Sequence, residues 1–327
     1  MKYCNAVSSV VAVLAMTTAA HAATVFWTDP AGPSGSHVIR RSGPDIGIQT
    51  IVTGQHDPLG MALDAKNGKI YWGTGGSQSG VLYIRRANLD GTAVETVVTT
   101  PDPTTTRIAY GLAVDNSAGK LYWTEVHGNV RRANLDGSNV EDVIVSGLTN
   151  PAAIAIDSLH GKLYWSDLEG NLDDAGRIMR SNLDGSNIET IHTGIDEASG
   201  LAVDPVAGKI YWPELRTKRI QRSNLDGTGI EDVAVNLLSP TTLGLDFTEG
   251  KIYWTDSFGG PAPNPLNRIE RANFDGSARE LIVSGIGLPW GIAVAVIPEP
   301  PTVVLGILGT LSLIAFRQRS KPIGYNR

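Results

Sequence analysis

Cysteine is all but missing. A single Cys4 in 327 residues excludes an internal disulfide framework. Basic charge is not in surplus either: Lys and Arg number 27 against 33 Asp and Glu, net −6. The chain thus has no cationic excess to neutralise phosphates, and no nucleic-acid partner is expected. Histidine is scarce, six in all, and none stands in an H-E-x-x-H or H-x-H pair. G-x-S-x-G and phosphate-cradling glycine loops are absent too, so the expectation is a non-enzyme that needs no cofactor. Uncharged apolar runs stay below the roughly 20 residues of a relaxed membrane helix. What is abundant is glycine, 37 of 327 residues, without a G-X-Y period. Frequent turns in an all-β chain are the simplest physical reason, and 42% hydrophobic content excludes general disorder.

The two ends are addresses. Lys2, the apolar stretch 6–16 and Ala20-His21-Ala22 form the three parts of a secretory signal over residues 1–22, whose cleavage also removes Cys4. Near the other end, Pro298-Glu299-Pro300 precedes an apolar run at 302–316, followed by Arg317, Arg319 and Lys321. This order resembles the PEP-CTERM sorting signal of bacterial exported proteins. Pro301 replaces the usual small polar residue, and Gln318 and Ser320 interrupt the basic cluster. The resemblance implies processing by an exosortase-type enzyme and delivery to the cell surface or exopolysaccharide matrix. The C-terminal segment would hold the membrane before processing; the alternative is a permanent, short anchor. The division is signal 1–22, main domain 23–297, sorting segment 298–321 and tail 322–327. Removing both ends takes five basic residues and one acidic, Glu299, and leaves 22 basic and 32 acidic. A net −10 favours basic or neutral partners.

The main domain is a repeat. Lys-Ile/Leu-Tyr-Trp recurs with variable ends: KIYWGT at 69–74, KLYWTE at 120–125, KLYWSD at 162–167, KIYWPE at 209–214 and KIYWTD at 251–256, with TVFWTD at 24–29 opening the set. The Trp residues fall at 27, 72, 123, 165, 212 and 254, a period of 42 to 51. Each later copy follows an apolar segment with Asp at or near its end, such as GLAVD at 111–115. Each is followed by an Arg-bearing segment and an Asn-Leu/Phe-Asp-Gly turn, such as RANLDG at 132–137. Asp-Gly between β-favouring runs is a hairpin signal, so the unit is four antiparallel strands, and such a period marks propeller blades. These residues resemble the YWTD, or low-density-lipoprotein-receptor class B, repeat, which implies an all-β, six-bladed propeller. The first copy lacks a preceding apolar strand while GIAVAV at 291–296 has none to follow, so N- and C-terminal strands should share one blade and close the ring.

Recurring residues are read as structural. Arg41, Arg86, Arg132, Arg180, Arg222 and Arg271 are expected to pair with the motif acids Asp29, Glu125, Asp167, Glu214 and Asp256. Of each motif's Trp and Tyr, one is expected between sheets and the other elsewhere. Function belongs to what the blades do not share, on the face of the strand 2–3 loops and blade links. The candidates there are Tyr110, Trp290, His127, His56, Asp57 and Arg216, with Ser199 and Thr242 beside them at the channel mouth. Trp290 is the one Trp outside the repeat register. An exposed Tyr110–Trp290 pair would suit a peptide side chain or a sugar ring, and rim packing is the other reading. Asp167, Glu169, Asn171 and Asp173 alternate as Ca²⁺ ligands do, but Leu172 and Ile178 stand where an EF-type loop needs Gly and Glu. The expectation is a surface or matrix binding module for a protein or polysaccharide. The alternatives are a channel-metal (Ca²⁺) hydrolase of the lactonase kind and a purely structural matrix protein.

Overall fold

The computed structural model describes residues 23–30, 37–44, 46–74, 81–101, 108–126, 128–168, 176–258 and 263–295. The signal and sorting segments lie outside them. The strands form six antiparallel sheets of four, and there is no helix among the described residues. Blade 2 shows the unit: inner strand Pro58–Asp64, then Lys69–Thr74, Val81–Asn88 and the outer strand Glu95–Pro101. Blade 1 is built from both ends. Ile292–Ala295 pairs with Thr24–Asp29, Thr24 opposite Ala295 and Trp27 opposite Ile292, followed by Val38–Gly43 and Gly47–Val52. The chain is an all-β six-bladed propeller closed by its last strand.

Period-2 alternation fails in the motif strand because both its faces are buried. After the half-buried Lys every residue is buried in blades 2 to 6. The six motif Trp are 0% exposed and the five Tyr 1%. Tyr71 shares a core cluster with Trp123, Tyr122 with Trp165, Tyr164 with Trp212, Tyr211 with Trp254 and Tyr253 with Trp27. Each such layer therefore sets one blade's Tyr against the next blade's Trp. This corrects the expectation that only one of the pair packs between sheets: alternation puts them on opposite faces, and both faces meet a neighbour. Burying a ring of 150–250 Å² contributes about 4–6 kcal/mol as an upper estimate.

The recurring Arg does not pair with the motif acid. Arg86, Arg132, Arg180 and Arg222 donate from Nε to Glu95, Glu141, Glu189 and Glu231 on their own outer strand, at 2.7, 2.7, 2.8 and 2.7 Å. Their Nη1 atoms donate across the gap to the carbonyls of Leu135, Leu183, Leu225 and Phe274, at 2.8, 3.0, 2.7 and 2.7 Å. Those carbonyls belong to the next blade's Asn-Leu/Phe-Asp-Gly turn. Arg41 repeats the clamp with Gln49 and Leu89. Arg271 faces the closing seam, where blade 1 carries Pro44 in place of that Leu, and its Nη1 turns to Glu249 at 3.1 Å. The turn glycine is required twice over: Gly137 has φ +84, and a Cβ there would lie 1.7 Å from the Val97 carbonyl of the preceding blade.

Inner-strand aspartates serve the next turn. Asp64, Asp115, Asp157, Asp204 and Asp246 accept backbone N–H groups two or three residues on. In blade 1 no such turn joins first and second strands, because the inner strand Ile292–Ala295 follows Thr24–Asp29 in sequence instead of preceding it. The corresponding position is Ala295, opposite Thr24 where other blades pair Asp with Lys. The acid is present only where it has a turn to cap.

Candidate functional site

Strand 2–3 loops and blade links share one end of the ring, the loop face; the tight 1–2 and 3–4 turns share the other, the turn face. At the loop-face end of the six inner strands the equivalent positions are Trp290, Leu59, Tyr110, Ala152, Ser199 and Thr241 in blades 1 to 6. The two aromatic side chains thus fall to blades 1 and 3, and the two hydroxyls to blades 5 and 6. Tyr110 and Trp290 meet edge to face, centroids 5.8 Å apart at 82°. Tyr110 also hydrogen-bonds the Ser199 hydroxyl, so it touches both other odd blades. Burial pushes its phenol up to about 12, opposed by the Ser199 bond and helped by the Glu197 carboxylate. Glycine permits the crowding: a Cβ on Gly291 or Gly111 would sit 2.2 or 2.4 Å from the Leu59 or Ala152 carbonyl.

Of the two readings, freely exposed pair or rim packing, the geometry is that of packing at the rim. Both rings are half-buried, packed on each other, and Trp290 is fixed through its backbone N–H to Thr28 O at 2.9 Å and its carbonyl to the Thr242 hydroxyl. The Trp290 indole N–H has no hydrogen-bond partner. The channel here is lined by apolar residues including Met61, Leu112, Ile154, Leu201, Leu243 and Ile292, around a cavity of about 60 Å³, room for about four to six waters. No group of three or more His, Cys, Asp or Glu able to hold a metal occurs among the described residues.

The motif acids sit at the loop face, and their length decides their work. Asp29 accepts from Leu288 N at 3.0 Å, Asp167 from Thr149 N and Asn150 N at 3.1 and 2.6 Å, and Asp256 from Leu238 N and Ser239 N at 2.9 and 2.7 Å. Each therefore anchors the link entering its own blade. In those three blades the indole N–H of Trp27, Trp165 and Trp254 has no partner. Glu125 and Glu214, one methylene longer, instead accept from Trp123 and Trp212 at 3.0 and 3.5 Å. In blade 2, where Thr74 replaces the acid, Gln55 of the link takes the Trp72 indole at 3.0 Å. The acids' cationic partners are Arg40, Arg131, Arg177, Arg219 and Arg268, at 3.4, 3.5, 2.8, 2.8 and 2.9 Å, and not the recurring arginines.

Asp167 is thus 0% exposed, its oxygens taken by two amides and Arg177. That corrects its reading as a Ca²⁺ ligand, since a carboxylate already satisfied by fixed donors has nothing to offer a cation. Glu169, Asn171 and Asp173 lie outside the described residues, as does His127. His56 is exposed. Asp57, at φ +37, sets both its N–H and its carboxylate 3.0 Å from His37 Nδ1. Arg216 pairs with Glu197 at 2.8 Å and Asp196 at 3.5 Å. Glu197 lies two residues before Ser199 in the link to blade 5, as Asp57 lies two before Leu59 in the link to blade 2. Glu197, at φ +47, was not singled out in the sequence; its place two residues before Ser199 was the available signal.

These features define a β-propeller with YWTD-type blades and an aromatic channel mouth. The profile of the low-density lipoprotein receptor repeat class B matches residues 119–158. That span runs from the second strand of blade 3 through the inner strand of blade 4, so the sequence repeat is offset by one strand from the blade. No curated protein matches the chain by sequence. Among solved structures, a chain in a crystal structure of a nidogen/laminin complex is similar, with TM-score 0.68, 20% identity and coverage of 83% of this chain and 98% of that one. TolB from Acinetobacter baumannii is similar at TM-score 0.64 and 11% identity, over 84% of this chain and 66% of that one. At these identities the likeness is one of fold.

Proposed function

We propose that the chain is an exported, surface-delivered module that recognises a protein or polysaccharide through its loop face, and that it does not catalyse a reaction. The observation that carries this is the Tyr110–Trp290 pair at the channel mouth, two rings packed edge to face where the blades differ from one another. Elsewhere the recurring Arg, Asp and Asn side chains are consumed within and between blades. The half-buried rings offer a rigid apolar shelf, which suits an aliphatic side chain or one face of a sugar. The net −10 outside the two end segments favours a neutral or basic partner. A nidogen/laminin complex shows a protein of this fold in a complex. Sorting by an exosortase-type enzyme rests on Pro298-Glu299-Pro300 and the run after it. Lactone turnover by the purified domain would contradict the non-enzymatic reading.

A protein and glycan array probed with residues 23–297 tests recognition. A ligand is expected whose binding weakens at least tenfold in Trp290→Ala, while Lys66→Ala on the turn face binds normally. Every ligand surviving both substitutions would overturn the proposal.

A further inference from the structure

The turn face carries exposed apolar side chains on three neighbouring blades. The turns between first and second strands, innermost on that face, hold Leu159 in blade 4, Val206 in blade 5 and Phe247 in blade 6, exposed by 67, 90 and 59%. The same turns in blades 2 and 3 present Lys66 and Ser117. None of the three is needed for its turn, which is held by the inner-strand Asp and the glycine before the motif Lys. Singly, exposed aliphatics are ordinary; side by side around one sector they mark a contact surface. A second observation says what meets it. Both ends of the ring leave blade 1 on this face, since Thr24 lies opposite Ala295, and blade 1 adjoins blade 6. From Ala295 the sequence continues within seven residues into the uncharged apolar run 302–316 and its cations.

We propose that the turn-face sector of Leu159, Val206 and Phe247 is a lipid-contact surface, which sets the propeller on a bilayer with the loop face outward. The proposal rests on the reading of 302–316 as a membrane segment. A chain anchored there keeps the turn face close to the lipid, because six residues span at most about 21 Å. Three apolar side chains then enter the interface without displacing any buried group. The outer turns of the same face carry Asp90, Asp136, Asp184, Asp226 and Asp275. Hydroxyls of the following Thr or Ser hold their carboxyls below the usual range, so they stay charged. A zwitterionic surface is therefore favoured over an anionic one.

The test uses the full chain with Cys4→Ser, reconstituted in phosphatidylcholine vesicles containing a doxyl lipid. A fluorophore is placed at Thr248→Cys, beside Phe247, or at Ser146→Cys in the link from blade 3 to blade 4 on the loop face. Flotation reads anchoring and quenching reads the face. The expected result is flotation of both, with quenching at 248 at least threefold that at 146. Leu159→Ser/Val206→Ser/Phe247→Ser should bring 248 down toward 146 while flotation persists. A chain that fails to float would overturn both the anchor and the lipid surface. Flotation with equal quenching, or a sector shielded in a dimer seen by light scattering, would overturn the lipid surface alone. Ligand recognition by the loop face is read separately and survives either outcome.

Discussion

Arginine 132 illustrates how single residues hold the ring. Its Nη1 crosses to Leu183 O while its Nε binds the half-exposed Glu141. Removing the arginine takes the charged donor from the Leu183 carbonyl and leaves it only the Tyr122 hydroxyl at 3.4 Å, whereas removing Glu141 leaves the clamp intact. Arg132→Ala should cost about 1–3 kcal/mol and Glu141→Ala under about 1, compared by denaturant midpoint at constant slope. Histidine 192 makes the other residue-scale case. It occupies the position held by Val98, Ile144 and Val283 in other blades, is 7% exposed, and bonds Ser223 Oγ through Nε2 at 2.8 Å. Burial pushes its pKa down. A depressed folded value means its contribution is present above the unfolded value of about 6.5 and is lost as pH falls through the folded one. His192→Val should therefore retain more stability than the parent below pH 6, measured as the difference in Tm between pH 7.5 and pH 5. An equal drop in both proteins would contradict this. At the alkaline end, burial raises Tyr110 to about 12 and also raises Tyr71, Tyr122, Tyr164, Tyr211 and Tyr253. Their contribution stands below the unfolded value of about 10 and is lost above it as the folded values are passed. Ultraviolet titration should find most phenolate forming above pH 10, together with unfolding.

At the scale of the strand and its link, the acid ending the motif divides the blades into two kinds. Aspartate anchors the incoming link; glutamate reaches the indole. Asp256→Ala leaves Leu238 N, Ser239 N and Arg268 without their acceptor, and should cost about 2–4 kcal/mol. Glu125→Gln, which can still accept from Trp123, should cost about 1 or less, with the two compared by thermal unfolding. How far this was legible in sequence differs by feature. Trp spacing and Asn-Leu-Asp-Gly turns are local patterns, so blade number, strand order and the shared closing blade followed from them. The Asp/Glu alternation was visible as letters, but its meaning depends on how closely the link passes, which no local pattern encodes. Arg132 was assigned to Glu125 because they sit on adjacent strands. Neighbouring Arg131 takes that acid, since alternation directs Arg132 towards the next blade. Trp290 stood out by falling outside the register and Tyr110 by heading an inner strand; their contact joins blades 1 and 3 and required the closed ring.

At the largest scale the propeller is a ring in which recurring side chains maintain closure, while the loop-face mouth and the turn-face apolar sector differ from blade to blade. The seam between blades 6 and 1 lacks the arginine-to-turn clamp, and blade 1 lacks the Asp–Lys pairing of the others. Closure rests on Ile292–Ala295, whose side chains are buried apart from the partly buried Val294, continued by the amides of Leu288, Trp290 and Gly291 on Asp29 and Thr28. Losing that strand exposes an aliphatic edge and uncovers Val25 and Trp27, at a cost of about 4 kcal/mol or more. The decisive measurement is hydrogen exchange with denaturant unfolding on chains beginning at 23 and ending at either 295 or 291. The longer chain should unfold in one transition, with Thr24–Asp29 amides among the protected core. The shorter should lose that protection and unfold at a much lower midpoint. Equal protection and equal midpoints would contradict a ring closed by its last strand.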